Sequence, residues 1–318
     1  MDKKLSSPLS VSVHLKDGCI YVLDETSLPW EEKYLKVKTL NDALKILSEM
    51  KTRAFGQVLL FFYVCVLLEK EIIPEDLASL FHEKRPTFDF KSLAGILRNE
   101  IKKDSIFEDK KSNLTESVER LIDNFSIMRK KRAENLALNL PDPASVLTLC
   151  NVSGEFVYLY EAMQNMGKKI SFIASETRPY LQGARLTFWE LNRLNIPVKL
   201  ICDNQAAWLM ERGMVNCVVV GSDRCTKKGD IINKIGTYSL ARLASYYQIP
   251  FYVLNQFPLD IPPEKIPIEE RDYNEVFLYL EGRGRWPYSL YPSFDLTKQH
   301  LISGWFEISG EVKLSENR

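Results

Sequence analysis

Three short apolar segments in residues 175–260 constrain the fold more than any other feature of the chain. Each is rich in β-branched or aromatic side chains, and helix-like segments separate them, so they are predicted to be strands: 198–202, 217–221 and 250–254. A polar residue follows each predicted strand, namely Asp203, Asp223 and Asn255. Because the carboxyl ends of parallel strands form the ligand crevice of an open sheet, these polar residues indicate a functional site.

Two further apolar segments precede this region and are also predicted to be strands, at residues 146–149 and 169–174. Five strands that alternate with helices predict an α/β fold with a Rossmann-like doubly wound parallel sheet. The chain has no G-x-G-x-x-G sequence, so a dinucleotide is not expected. After Thr297 a final helix is expected.

The stiff sequence Pro141-Asp142-Pro143 is the best domain boundary in the chain. It predicts a smaller N-terminal domain, residues 1–140, and a Rossmann-like catalytic domain, residues 141–318. In the N-terminal domain, residues 10–24 alternate around Asp17-Gly18 and predict a β-hairpin. Amphipathic segments follow, and Thr39 is a suitable N-cap for the first of them, so the rest of this domain is predicted to be mostly helical.

Composition excludes several classes of protein. Lys and Arg number 42, and so do Asp and Glu, so the balanced charge of this 318-residue chain provides no broad basic field for nucleic acid. The three histidines and six cysteines have no ligand-like spacing, which argues against a zinc site or a disulfide framework. Neither a signal peptide nor a run long enough to span a membrane is found. A cytoplasmic protein without a membrane or nucleic-acid partner is therefore expected.

Two residues at predicted strand ends carry groups suited to acid–base chemistry. Cys150 follows the strand at 146–149, and Asp223 follows the strand at 217–221, so both can face one crevice. Each also has a structural interpretation. A cysteine after apolar residues is commonly a small buried hydrophobe, and an aspartate can cap a helix or pair with the adjacent Arg224. Cys202, Cys217 and Cys225 are expected to serve packing.

Several motifs resemble the methylthioribose-1-phosphate isomerase family, whose superfamily includes ribose-1,5-bisphosphate isomerase and the regulatory subunits of translation initiation factor 2B. The residues that carry the resemblance are ETRPYLQGARLT at 176–187, Asp203-Asn204, GSDR at 221–224 and GDIINKIGTY at 229–238. Weaker matches lie in the first hairpin, at residues 266–272 and at residues 291–297. The resemblance is dense in residues 175–260 and patchy elsewhere.

The resemblance implies that Cys150 acts as a thiolate at C2 of a sugar 1-phosphate and that Asp223 acts as an acid at the ring oxygen. It implies substrate contacts from Arg53, Ala54, Arg85, Gln182, Asn233 and Lys234. It also implies a homodimer formed through the second domain, with no metal or organic cofactor. The chain departs from the family in two loops: Arg53-Ala54-Phe55 replaces Arg-Gly-Ala, and the sequence after Cys150-Asn151 lacks the usual glycines.

Two functions of different classes remain open at this point. One is an aldose–ketose isomerase that converts a ribose-type 1-phosphate, by resemblance 5-methylthioribose 1-phosphate, to the ribulose 1-phosphate in methionine salvage. The other is a non-catalytic sugar-phosphate or nucleotide sensor, or an assembly protein related to the initiation factor 2B subunits. Retention of Cys150 and Asp223 favours the enzyme, whereas the two altered loops favour the alternative.

Overall fold

The computed structural model describes residues 5–107, 113–259, 261–277 and 289–315. These residues form two compact units: a first unit, Ser6–Arg129, and a second unit, which comprises Leu5 and the described residues from Lys130 onward. The units therefore divide inside one helix, Leu114–Asn139, whereas the predicted boundary at 140/141 falls at its end. The reason is that the last turns of this helix bury Ala133, Leu136 and Ala137 in the apolar core of the second unit.

The first unit combines a three-stranded antiparallel sheet with helices. The strands β1 (Val13–Lys16), β2 (Cys19–Leu23) and β3 (Tyr34–Val37) lie in the order β1-β2-β3. Asp17 and Gly18 connect β1 to β2, and both have positive φ, as a tight two-residue hairpin turn requires. The helices of this part of the chain are α1 (Leu40–Ser48), α2 (Phe55–Leu67), α3 (Pro74–Lys84), α4 (Phe90–Phe107) and α5 (Leu114–Asn139).

A capping box starts α1. The Thr39 side chain accepts a hydrogen bond from the backbone N–H of Asp42, and the Asp42 carboxylate accepts one from the backbone N–H of Thr39. The following helix, α2, is apolar on most sides, and Leu60, Phe61 and Phe62 are completely buried in it. Among the described residues, no helix combines the length and the apolar character that crossing a membrane requires.

Besides the end of α5, the described residues of the second unit form ten strands and four α-helices. The strands are β4 (Ala144–Thr148), β5 (Ile170–Ser175), β6 (Val198–Ile201), β7 (Cys217–Gly221), β8 (Arg224–Cys225), β9 (Ile231–Lys234), β10 (Phe251–Asn255), β11 (Phe294–Thr297), β12 (Gly304–Glu307) and β13 (Val312–Leu314). The helices are α6 (Glu155–Asn165), α7 (Trp189–Arg193), α8 (Ala206–Glu211) and α9 (Thr237–Tyr246). A π-helical turn, Gly183–Phe188, leads into α7.

Seven of these strands form the main sheet, in the order β13-β12-β10-β7-β4-β5-β6. All neighbouring pairs are parallel except β12 and β13, so the predicted α/β class with a parallel sheet is confirmed. From β4 the chain moves outward through β5 to β6, then returns to the other side of β4 as β7 and continues to β10 and β12. The strand order thus reverses between β4 and β7, where open α/β sheets bind their ligands.

The end of the chain differs from the expectation. Instead of a final helix after Thr297, a short 3-10 turn, Gln299–Leu301, leads into β12 and β13 at the edge of the sheet. The reason is the apolar content of this segment: Ile302, Phe306 and Ile308 are almost fully buried, and β12 pairs along β10. The small antiparallel sheet β11-β9-β8 was also not predicted.

Both faces of the main sheet are covered by apolar side chains. Val146, Phe172 and Val219 belong to one buried cluster, whereas their neighbours Leu147, Ile173 and Val218 belong to another. Because successive residues of a strand point to opposite faces, the two clusters are the two sides of the sheet. Polar side chains that react with a ligand must therefore lie at the strand ends.

Candidate active site

Cys150 lies at the carboxyl end of β4, in a backbone conformation that is unusual for its type. Its φ is 63°, in the left-handed region, and its side chain is half-buried. The Cys150 N–H donates to Thr177 Oγ1 at 2.8 Å, and its carbonyl accepts from Thr187 Oγ1 at 2.6 Å. Two threonines of the 176–187 motif therefore hold Cys150 in place, a role that the sequence analysis did not assign to them.

Asn151 continues this turn towards α6. Its Nδ2 donates to Thr187 Oγ1 at 3.0 Å, and its Oδ1 accepts from the Ser153 N–H at 2.7 Å. Gly154, with φ of 90°, ends the turn immediately before α6. The positive end of a helix dipole thus directly follows the Cys150 loop, residues 150–154. Such a dipole favours the thiolate form of a nearby cysteine.

The other cysteines of the second unit have different environments. Cys217 and Cys225 are buried, and burial raises the pKa of each thiol to about 12, which suits packing and not catalysis. Cys202, at the end of β6, is exposed, so the packing role predicted for it is wrong. Its strand lies at the edge of the sheet, where fewer side chains cover its end.

Asp223 lies beyond the carboxyl end of β7, the strand next to β4. It is half-buried, and its backbone N–H donates to the Ile232 carbonyl at 3.0 Å. A Cβ placed on Gly221 would be 3.2 Å from Val152 Cγ1, so the Cys150 loop lies against the end of β7. Cys150 and Asp223 are therefore brought to the same end of two paired strands, at the point where the strand order reverses.

Asn233 and Lys234 end β9, close to the Cys150 loop. A Cβ on Gly236 would be 3.6 Å from Leu149 Cδ2, which places the turn after Lys234 against the residue before Cys150. Lys234 is buried, and its Nζ donates to the Tyr291 hydroxyl at 2.6 Å. Asn233 Nδ2 donates to Thr237 Oγ1 at 2.9 Å. The structure thus groups these two predicted contacts with Cys150 and Asp223.

Asp295 supports this group, and the sequence analysis assigned it no role. It pairs with Asn233 across β9 and β11, and its carboxylate accepts from the backbone N–H groups of Gly236 at 2.7 Å and Tyr238 at 3.1 Å. Burial raises the pKa of Asp295 to about 6, although the two N–H groups oppose this shift. The only sequence signal was its place within the motif at 291–297.

Gln182 lies in the loop between β5 and α7, which Asp203 holds from the end of β6. The Asp203 carboxylate accepts from the backbone N–H groups of Thr177 at 2.8 Å and Arg178 at 2.7 Å. Gln182 itself is 5% exposed, and its Oε1 finds no hydrogen-bond donor among the residues that the structure describes. A buried acceptor without a donor lowers stability by about 1–3 kcal/mol, and a hydrogen bond from a substrate hydroxyl would remove this cost.

In the first unit, Arg53 and Ala54 form the loop that precedes α2. The Arg53 N–H donates to Glu25 Oε1 at 3.1 Å, and Arg53 Nη1 lies 3.8 Å from Glu25 Oε2. Burial raises the pKa of Glu25 to about 7, and the Arg53 charge opposes this shift. Ala54 has φ 44° and ψ −119°, a conformation that glycine adopts far more readily.

Arg85 follows α3 in the same unit and is only 5% exposed. Its Nη1 lies 2.7 Å from Met50 Sδ, and Met50 directly precedes the segment that leads to Arg53. The structure therefore brings Arg53, Ala54 and Arg85 to one region of the first unit, whereas the other five predicted site residues lie in the second unit.

Within the described ranges, no group of three or more His, Cys, Asp or Glu side chains could hold a metal ion.

A model of the initiation factor 2 subunit family matches residues 77–307, which is more than half of the chain. The chain belongs to this family. Among its relatives, the methylthioribose-1-phosphate isomerase of Desulforudis audaxviator is 35% identical, over 95% of this chain and 94% of the relative. The enzyme of the same name from Carboxydothermus hydrogenoformans is 34% identical, over 95% of both chains. These relatives confirm the resemblance found in the sequence.

Solved structures with this fold come from two kinds of protein. 5-Methylthioribose 1-phosphate isomerase from Pyrococcus horikoshii OT3 matches with a TM-score of 0.79 at 26% identity, over 98% of this chain and 96% of that one. Translation initiation factor eIF-2B, subunit delta, from A. fulgidus matches with a TM-score of 0.76 at 27% identity, over 96% of both chains. The fold is therefore common to enzymes and to initiation factor subunits.

Proposed function

We propose that this protein is an aldose–ketose isomerase that converts 5-methylthioribose 1-phosphate to 5-methylthioribulose 1-phosphate, a step of methionine salvage. The observation that carries this proposal is the 33–35% identity, over most of both chains, to relatives named methylthioribose-1-phosphate isomerase. The fold alone does not decide between enzyme and initiation factor subunit. The neighbouring positions of Cys150 and Asp223 support the enzyme, because a sensor or assembly protein has no need of this pair.

The substrate dictates which chemical groups are needed. A phosphate on the anomeric oxygen prevents spontaneous ring opening, so an acid must protonate the ring oxygen as its bond to C1 breaks. A base must then remove the C2 proton and return it to C1. As it does so, the 2-hydroxyl gives up its proton to the acid, which leaves a carbonyl at C2, restores the acid and loses no atoms. Asp223 is the acid and Cys150, as thiolate, is the base.

The two groups need opposite pKa shifts. A thiolate at neutral pH requires stabilisation of its charge, and the start of α6 directly after the Cys150 loop supplies a positive dipole. An acid at neutral pH requires a carboxyl group shielded from water, and the half-buried position of Asp223 after the apolar strand β7 supports this role. Different surroundings at two adjacent strand ends thus support two different roles.

Six further residues contact the substrate in this proposal. Gln182 accepts a hydrogen bond from a sugar hydroxyl, because its buried Oε1 has no other donor among the described residues. Asn233 and Lys234 bind hydroxyl and phosphate oxygens. Arg53, Ala54 and Arg85 bind the phosphate, and this part rests on the sequence resemblance. The chain acts as a cytoplasmic homodimer with residues 141–318 as its catalytic domain, without a metal or organic cofactor, and light scattering of the purified protein tests the dimer.

Turnover of 5-methylthioribose 1-phosphate, followed by proton NMR, tests the function. We expect the wild-type protein to form the ketose and Cys150→Ser and Asp223→Asn to lose at least about 100-fold in kcat, as removal of a general acid or base does. Cys202→Ser is the matched control, because it makes the same substitution at the end of another strand, and it should retain full activity.

If the wild-type protein converts neither this sugar phosphate, nor its 5-deoxy analogue, nor ribose 1,5-bisphosphate, the isomerase proposal fails. The sensor or assembly interpretation would then replace it, and the changed loops at Arg53 and after Cys150 would be the physical reason.

A further inference from the structure

A buried arginine contacts both the helix that follows the Cys150 loop and the strand beside the one that leads to Asp223. Arg132, near the end of α5, is 2% exposed although it carries a full charge. Its Nε donates to Glu155 Oε2 at 2.9 Å, its Nη2 donates to Glu155 Oε1, and its Nη1 donates to the Asn255 carbonyl. One planar guanidinium group thus makes a two-fold contact with one element and a third hydrogen bond to another.

The first contact fixes the Cys150 loop. Glu155 is the first residue of α6 and directly follows Gly154, so its carboxylate is attached to the end of that loop. The Glu155 N–H also donates to the Val152 carbonyl at 3.3 Å. Glu155 is 3% exposed and is therefore held inside the protein with Arg132. Movement of this ion pair would move the end of the loop.

The second contact reaches Asp223 through two hydrogen bonds. Asn255 is the last residue of β10, the strand next to β7, and its Oδ1 accepts from Ser222 Oγ at 2.8 Å. Ser222 immediately precedes Asp223 in the chain. Arg132 therefore anchors Asn255, and Asn255 holds the residue that carries Asp223. The same guanidinium is in this way linked to the position of both proposed catalytic groups.

Stability does not account for such a pair. Removing two charges from water costs about as much as their attraction returns, and replacing a buried pair with apolar residues of similar size is often neutral or stabilising. We propose that Arg132, through Glu155 and Asn255, is a positioning residue that sets the separation of Cys150 and Asp223 at the strand ends. This inference rests on the proposed function for its effect on catalysis but not for its effect on structure.

The variant that tests it replaces both charges, Arg132→Met with Glu155→Met. The Asn255 carbonyl also accepts from the Ile308 N–H at 3.0 Å, so it keeps a donor in the double variant. We expect it to fold, and we expect kcat to fall about 100-fold, as misplacement of reacting groups by about 1 Å does, while KM changes less than about threefold. The single variant Arg132→Lys keeps the charge but loses the planar fork, so its kcat should lie between those of the double variant and the wild type.

A matched control is a hydrogen bond at the amino ends of β4 and β7, the two strands that lead to Cys150 and Asp223. Asn216 Oδ1 accepts from the Ser145 N–H at 2.8 Å, which connects the amino ends of β4 and β7. Asn216→Ala removes that link without affecting the carboxyl ends. It should lower the melting temperature and leave kcat unchanged. If the folded double variant has the kcat of the wild type, or if Asn216→Ala loses as much kcat, Arg132 has no positioning role.

Hydrogen exchange followed by mass spectrometry provides a measurement that does not depend on turnover. In the double variant, amide exchange should accelerate in residues 150–154 and 222–223 and stay as in the wild type near Asn216. Unchanged exchange in the first two segments would overturn the inference even with an active enzyme. Accelerated exchange in a protein without isomerase activity would support the structural inference and refute the proposed function.

Discussion

Several residues of the proposed site have conformations or surroundings that cost free energy. Cys150 and Thr177 have positive φ although both carry a Cβ, and Ala54 adopts a backbone conformation typical of glycine. Such residues cost about 1–3 kcal/mol each and persist only where their surroundings impose them. They occur here in loops that the resemblance already connected to substrate binding, which favours a functional origin of the strain.

Ala54 permits a direct test of this strain. The family that the sequence resembles has glycine at this position. Ala54→Gly should raise the free energy of unfolding by about 1 kcal/mol, because the backbone strain that it relieves exceeds the conformational entropy that glycine adds to the unfolded chain. Its kcat/KM should equal or exceed that of the wild type. Ala43→Gly, within α1, is the control and should lower stability by about 1 kcal/mol or more. A destabilised Ala54→Gly would show that the loop is not strained.

Gln182 tests the cost of a buried acceptor. Gln182→Met retains the length of the side chain and removes an oxygen that has no donor among the described residues. We expect the free energy of unfolding to stay equal or to rise by about 1 kcal/mol, while KM for the sugar phosphate rises about tenfold or more. Thermal unfolding and steady-state kinetics measure the two effects. A loss of stability with unchanged KM would instead assign Gln182 a structural role.

At the scale of elements, backbone N–H groups and carboxylates organise the turns around the site. Asp203 holds the loop that contains Thr177, and Asp295 holds the start of α9. Each carboxylate accepts hydrogen bonds from two backbone N–H groups of a distant turn. Asp203 lies after β6 and holds the loop that follows β5, whereas Asp295 lies in β11 and holds the turn between β9 and α9. Sequence patterns identify helices and strands but not which distant side chain completes a turn, because that pairing depends on the tertiary fold.

The raised pKa of Asp295 predicts a dependence of stability on pH. Between its ordinary value of 3.8 and about 6, the folded state retains a proton that the unfolded state has lost. Ionisation of Asp295 therefore lowers the free energy of unfolding as pH rises through this window. The stability difference between wild type and Asp295→Asn should decline from pH 4 to pH 6 and stay constant above, as measured by urea unfolding.

Asp42, the third residue of α1 and part of its capping box, is a control because its pKa is shifted in the opposite direction. Hydrogen bonds from backbone N–H groups, that of Lys38 first, and from the Thr39 side chain lower its pKa. Its contribution to stability is therefore present above its ordinary pKa and is lost as pH falls below it. The stability difference between wild type and Asp42→Asn should increase with rising pH. The same trend in both variants would contradict the assignment for Asp295.

At the scale of the whole molecule, the largest departure from the sequence prediction is at one edge of the main sheet, where β12 and β13 lie. β12 lies beside β10 and buries Phe306 completely, whereas β13 forms an exposed edge. Phe306→Ala should therefore lower the free energy of unfolding by about 3–5 kcal/mol, since it leaves a cavity beside the apolar core. Val312→Ala, at the edge, should change it by less than about 1 kcal/mol. Equal effects in calorimetry would show that β12 is not part of the core.

The sequence by itself determined the class of fold, five strands of the main sheet and the family, because apolar periodicity and long motifs are local properties of the chain. It also identified Cys150 and Asp223 as residues that follow strands. Only the tertiary structure decided that these strands are neighbours at the reversal of strand order, that β12 and β13 complete the sheet, and that the helix around Arg129 and Lys130 belongs to both units. The buried contacts of Arg132 and Asp295 join residues far apart in sequence, and no local pattern encodes such contacts.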